Sequence, residues 1–112
     1  MIEHNVAEVM TIMTSSTQAH SLLEGALAAA RIDNFVLARQ RLQAAGTALN
    51  DARNAQTTLL TREAQGQTVP MTLLLIHAQD HLMSTITYRD AVSELITLYQ
   101  KIAGLVAKKT PE

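Results

Sequence analysis

The 112-residue chain has no cysteine and no tryptophan, and its aromatics are limited to Phe35, Tyr88 and Tyr99. Without cysteine there can be no disulfide, no thiolate metal site and no thiol nucleophile. Without more aromatics, a core must be built from Leu, Ala, Ile, Val and Met. That mixture suits helices packed side by side and is poor for a β-sandwich or barrel. The formal net charge is −1, with no basic stripe, so nucleic acid is not an expected partner. No apolar run approaches the roughly 20 residues of a membrane span, so no membrane insertion is expected. The opening MIEHNVAEVM has no positive segment followed by an apolar one, so no secretory leader is expected and the expected location is the cytoplasm. The length is that of one domain spanning 1–112.

What is present is helical periodicity, in three stripes with spacings of three and four. The first runs Ile2, Val6, Val9, Met13, Ser16, His20, Leu23, Leu27, Ala30. The second runs Phe35, Ala38, Leu42, Ala45, Leu49, Ala52, Gln56, Leu59. The third runs Leu74, Ala78, His81, Thr85, Tyr88, Val92, Leu95, Tyr99, Ile102, Val106. Asp33 or Asn34 supplies an acceptor for the amides that open the second helix. Gly66 is placed to end that helix in a left-handed cap, and Pro70 fits the first turn of the third. The pattern predicts helices over about 3–31, 34–65 and 70–107. Short connections make them antiparallel neighbours, so the fold class is all-α, an up-down-up three-helix bundle. Gly25 and Gly46 fall inside helices, either because the helices approach closely there or because glycine is tolerated.

Residues 66–88 contain no Lys, Arg or Glu, yet His77, Asp80 and His81 stand within them. At i, i+3 and i+4 these three project from one side of the helix within a turn. Ionisable groups in an otherwise uncharged stretch are costly unless paired or liganded. A second, small and polar face of the same helix passes through Leu73, His77, Asp80, Ser84, Thr87 and Ala91. It needs solvent or another subunit, and an oligomer built around the third helix accounts for it. Spacing alone does not separate metal ligation by His77, Asp80 and His81 from phosphoryl transfer, or either from a structural cluster in a helical adaptor. His4 reads as a solvated residue at a helix start.

The run Leu73-Leu74-Leu75-Ile76-His77-Ala78-Gln79-Asp80-His81-Leu82-Met83 resembles the active-site helix of the lactose/cellobiose-type enzyme IIA family of sugar phosphotransferase systems. Asp33-Asn34-Phe35 is similar to that family's Gly-Asp-Phe opening of helix 2, and Ala55-Gln56-Thr57 through Arg62-Glu63-Ala64-Gln65-Gly66 to the end of that helix. Residues 17–107 align without an obvious gap. The resemblance implies a homotrimer of three-helix bundles that accepts phosphate from HPr on His77 and passes it to a cysteine of enzyme IIB, for uptake of a β-linked disaccharide. It also implies that Asp80 and its two symmetry mates hold one divalent ion, usually magnesium, on the threefold axis. Alanine at 78 places the chain nearer the cellobiose and chitobiose branch. The family's Ala-Arg-Ser in helix 1 is here Ala19-His20-Ser21, so any role of that arginine falls to a histidine, in a pH-dependent manner.

The chemistry fits those residues. Imidazole, with an ordinary pKa of about 6.5, is available as a neutral nucleophile near pH 7. Positioning and charge stabilisation then do most of the work of transfer. His77 is expected about two turns into its helix, beyond the free amides of the helix start, so side chains must bind the phosphoryl oxygens. His81, one turn on, is the candidate within the chain. Gln79 points about 200° away, at 100° per residue, so it either serves the site from a neighbouring subunit or is structural. Three Asp80 carboxylates in a dry interior require that one protonate or a cation bind, and magnesium suits them, as a structural ion without a chemical role.

Overall fold

A computed structural model describes residues 3–109, with side chains from residue 5. Ile2, the His4 side chain and the tail from Thr110 lie outside the described residues. The chain forms three helices, α1 (Glu3–Arg31), α2 (Phe35–Ala64) and α3 (Leu73–Lys109). No strand occurs among the described residues. Side-chain pairs fix their directions. Arg62 near the end of α2 bonds Asn5 and Glu8 at the start of α1. Arg39 early in α2 bonds Gln100 late in α3, and Gln56 bonds Gln79. Neighbouring helices therefore run antiparallel, up-down-up, in a rod of 68 × 19 × 19 Å.

Capping chemistry sets the ends. After α1, Asn34 N–H bonds Ala29 O at 2.9 Å and Asp33 N–H bonds Ala30 O at 3.1 Å. Asp33 holds φ at 62° between them. This paired closure is the one that glycine usually enables, and an aspartate side chain tolerates it at some cost. Asn34 then caps α2, its side chain accepting from Leu37 N–H at 3.2 Å. The same closure ends α2, where Gln67 N–H bonds Arg62 O, Gly66 N–H bonds Glu63 O, and Gly66 takes φ 86°. That is the left-handed cap expected at this glycine.

The start of α3 departs from expectation. Pro70 lies before the helix, because the Thr72 hydroxyl accepts from Leu75 N–H at 3.1 Å and caps it. A threonine acceptor satisfies a free amide of the first turn, which a proline at 70 cannot do. The helix begins three residues later than the periodicity indicated, and it extends to Lys109.

The core is a tight seam rich in alanine. Its α1 side is Val9, Ile12, Ser16, Ala19, Leu23, Ala26 and Ala30. On α3 it is Leu75, Ala78, Leu82, Thr85, Val92 and Ile96. On both helices part of each stripe sits one position away from the expected one. Ile12, Ala19 and Ala26 are buried in place of Met13, His20 and Leu27, and Leu82 and Ile96 in place of His81 and Leu95. Met13, His20, Leu27 and His81 stand at the seam's edge, half-buried. The α2 stripe holds as read, except that Phe35 and Gln56 are half-buried. Among the described residues no helix is long and apolar enough to cross a membrane.

The helical glycines accommodate arginine side chains, not neighbouring backbones. A Cβ at Gly25 would lie 3.2 Å from Arg41 Cδ and Nη1, and Arg41 Nη1 donates to Gly25 O at 3.1 Å. A Cβ at Gly46 would meet only Arg89 Nη2, at 3.8 Å.

Candidate functional site

The site is built on the second and third turns of α3 and on the facing stretch of α1. Capping by Thr72 puts His77 at the opening of the second helical turn, one turn from the helix start instead of the expected two. The Leu75 and Ile76 amides are bonded to Thr72, but the positive end of the helix dipole lies about one turn from His77 and favours an anion there. This weakens the expectation that side chains alone must bind a phosphoryl group.

Leu73, His77, Asp80, Ser84, Thr87 and Ala91 are all exposed, so the second face of α3 is open on the single chain. Ile76 and Met83 beside it are exposed too. His81, one turn beyond His77, turns toward α1 and is half-buried. The two rings are stacked, with centroids 6.4 Å apart and planes at 12°. His81 Nε2 lies 3.3 Å from the Thr17 hydroxyl of α1.

A third imidazole continues the row. His20 lies 6.2 Å from His81, centroid to centroid, and 5.0 Å from the Tyr88 ring. Its Nδ1 is 2.9 Å from Glu24 Oε1. Position 20 thus faces the site and is tied to a carboxylate on its own helix. Thr17, Glu24 and Tyr88 had no place in the sequence-based site. Periodicity assigns residues to faces but does not say which positions on two different helices meet.

Asp80 makes no ion pair among the described residues, and its backbone carbonyl accepts the Ser84 hydroxyl at 2.8 Å. Gln79 faces inward, accepting from Gln56 Nε2 at 2.8 Å. It lines a groove of about 320 Å³ between α2 and α3, with Leu59, Leu60, Met71 and Leu75. Among the described residues no three His, Asp or Glu side chains converge as a metal-holding group. His77, Asp80 and His81 share a helix side without sharing a point. Asp80 offers hard oxygen donors of the kind magnesium takes, but one exposed carboxylate does not make a site. The residues fit an ion only where several copies of Asp80 meet.

The family model for the lactose/cellobiose specific IIA subunit of the phosphotransferase system matches residues 7–100. The chain belongs to that family. The Bacillus subtilis lichenan-specific phosphotransferase enzyme IIA component is 47% identical over 77 residues, covering 69% of this chain and 70% of the relative. Among solved structures, the cellobiose-specific enzyme IIA of Bacillus anthracis superposes with a TM-score of 0.88 at 34% identity, covering 93% of this chain and 95% of that one. The chitobiose IIA in complex with HPr from Escherichia coli superposes at 0.77 and 34% identity, covering 88% and 96%. As a family member, the chain is an enzyme IIA component, a phosphotransferase part of a sugar transport system.

Proposed function

We propose that the chain is a cytoplasmic phosphocarrier, accepting a phosphoryl group from HPr on His77 and delivering it to a cysteine of enzyme IIB, for uptake of a β-linked disaccharide. The observation that carries this reading is the exposed His77 ring on the α3 face of a family member. That a related chitobiose IIA forms a complex with HPr supports HPr as the donor.

In the first step a ring nitrogen of His77 attacks phosphorus as the phosphorus–nitrogen bond to HPr breaks. In the second a thiolate of enzyme IIB attacks, and the bond to His77 breaks. His81, its ring parallel to that of His77, donates to the phosphoryl oxygens, and the amides opening α3 add partial positive charge. Gln79 bonds Gln56 within the chain, which favours a structural role for it over a part in a neighbouring subunit's site.

The working form is a homotrimer about α3, because that helix leaves Leu73, Ile76, Met83 and Leu98 exposed along the face that carries Asp80. Three Asp80 carboxylates meeting on an axis would hold one magnesium ion, which when bound supplies the positive charge that offsets them.

The test is incubation with phosphoenolpyruvate, enzyme I and HPr. Acid-labile, base-stable label is expected on the wild type and none on His77→Gln. An unlabelled wild type would end the proposal.

A further inference from the structure

Threonine in a helix usually turns its hydroxyl back to the carbonyl four residues earlier. Thr11, Thr47, Thr58, Thr85, Thr87 and Thr97 do so here. Thr17 differs, since its hydroxyl reaches across from α1 to His81 Nε2, 3.3 Å away. The ring it meets is the one that lies parallel to that of His77, 6.4 Å away between centroids. Resting on the phosphocarrier reading, we infer that Thr17 is a positioning residue for phosphoryl transfer, which acts by fixing the rotamer and the free nitrogen of His81.

A hydroxyl is suited to this task because it both donates and accepts. It accepts from Nε2–H when that nitrogen carries the proton, and donates to Nε2 when it does not. The ring is held in one orientation in either case. With Nε2 engaged by α1, Nδ1 of His81 is left for the phosphoryl group on the neighbouring ring. It donates when it carries the proton, that is, when the hydroxyl donates to Nε2 or the ring is an imidazolium. The backbone of His81 is restrained as well, since its carbonyl accepts the buried Thr85 hydroxyl at 2.7 Å. Without Thr17, the ring keeps its place on the helix but loses the contact that sets its rotation. His20, one turn along α1, does not replace that contact. It is 6.2 Å from His81 and its Nδ1 is committed to Glu24.

Thr17→Val removes the hydroxyl and keeps the shape. Thr17 is exposed, so the fold is retained, and thermal melting checks this. A misoriented His81 loses its hydrogen bond to the phosphoryl group in the transition state, which corresponds to roughly a fivefold fall in the rate of transfer from phospho-HPr. The same variant is expected to shift the ¹⁵N resonances of the His81 ring in the unphosphorylated protein, and Thr17→Ser to restore both rate and resonances. A Thr17→Val protein with wild-type rate and wild-type His81 signals overturns the inference, as does a Thr17→Ser protein no better than Thr17→Val. Failure of the parent reading is distinguishable, because there the wild type itself takes no label.

Discussion

Ser16 is a residue whose chemistry conflicts with its place. Among the described residues three polar side chains are buried. Asn5 accepts from Arg62, and Thr85 bonds the His81 carbonyl. Ser16, at 0% exposure, has no hydrogen-bond partner. A buried hydroxyl left unbonded costs about 1–3 kcal/mol, and alanine fits the alanine-rich seam around it. Ser16→Ala is therefore expected to raise stability by about 1 kcal/mol in urea unfolding at unchanged m-value. A less stable variant would mean that the hydroxyl has a partner in solution. Asp33 is a second such place, because its φ of 62° suits glycine better than any side chain. Relief of that strain outweighs the looser unfolded chain, so Asp33→Gly should gain about 0.5 kcal/mol, read as a higher Tm. At this scale much of the site was legible. His77, Asp80 and His81 stand out as ionisable groups in an uncharged stretch, and the structure leaves the first two exposed. The contacts of Thr17, Glu24 and Tyr88 were not legible, because they depend on how α1 is rotated against α3.

At the scale of the helices, the rotation itself is what periodicity missed. Alanine at 19 and 26 is small enough for either face, so large residues such as Met13 and Leu27 dominated the reading. In the folded bundle those larger side chains cover the edges while alanines let the helices come together. The start of α3 was mistaken for a related reason. Proline at 70 is a helix-start signal, yet Thr72 two residues later offers a better acceptor and takes the cap. The two helical glycines separate in the same physical terms. Alanine at 46 meets one arginine atom at an ordinary contact distance, whereas alanine at 25 presses on Arg41, which is bonded to the Gly25 carbonyl. Gly46→Ala is expected to stabilise by about 0.5–1 kcal/mol through helix propensity. Gly25→Ala should gain less or lose stability. Equal gains in parallel chemical-denaturation curves would show that Arg41 moves aside freely.

For the molecule as a whole, the fold class was readable because three amphipathic stripes and two short breaks admit few arrangements. The proposed assembly rests on the open second face of α3 and on family resemblance, since a face such as that of Asp80 looks the same whether water or a sister chain covers it. The proposed trimer makes a specific demand. In the wild type, chelation should leave three unscreened carboxylates on the axis and shift the protein toward monomers in sedimentation velocity. Asp80→Leu, which needs no ion, should remain trimeric with or without chelator. Identical sedimentation of the wild type in both conditions would remove the ion from the account.

The exposed imidazole of His77 has a kinetic corollary on the carrier reading. One ring on one face of a straight rod can be approached by one protein at a time, so donor and recipient must visit in alternation. Surplus unloaded enzyme IIB would then obstruct HPr, and the obstruction would vanish at saturating HPr. The flow of phosphate into the sugar pathway would be throttled by the very protein waiting to receive it.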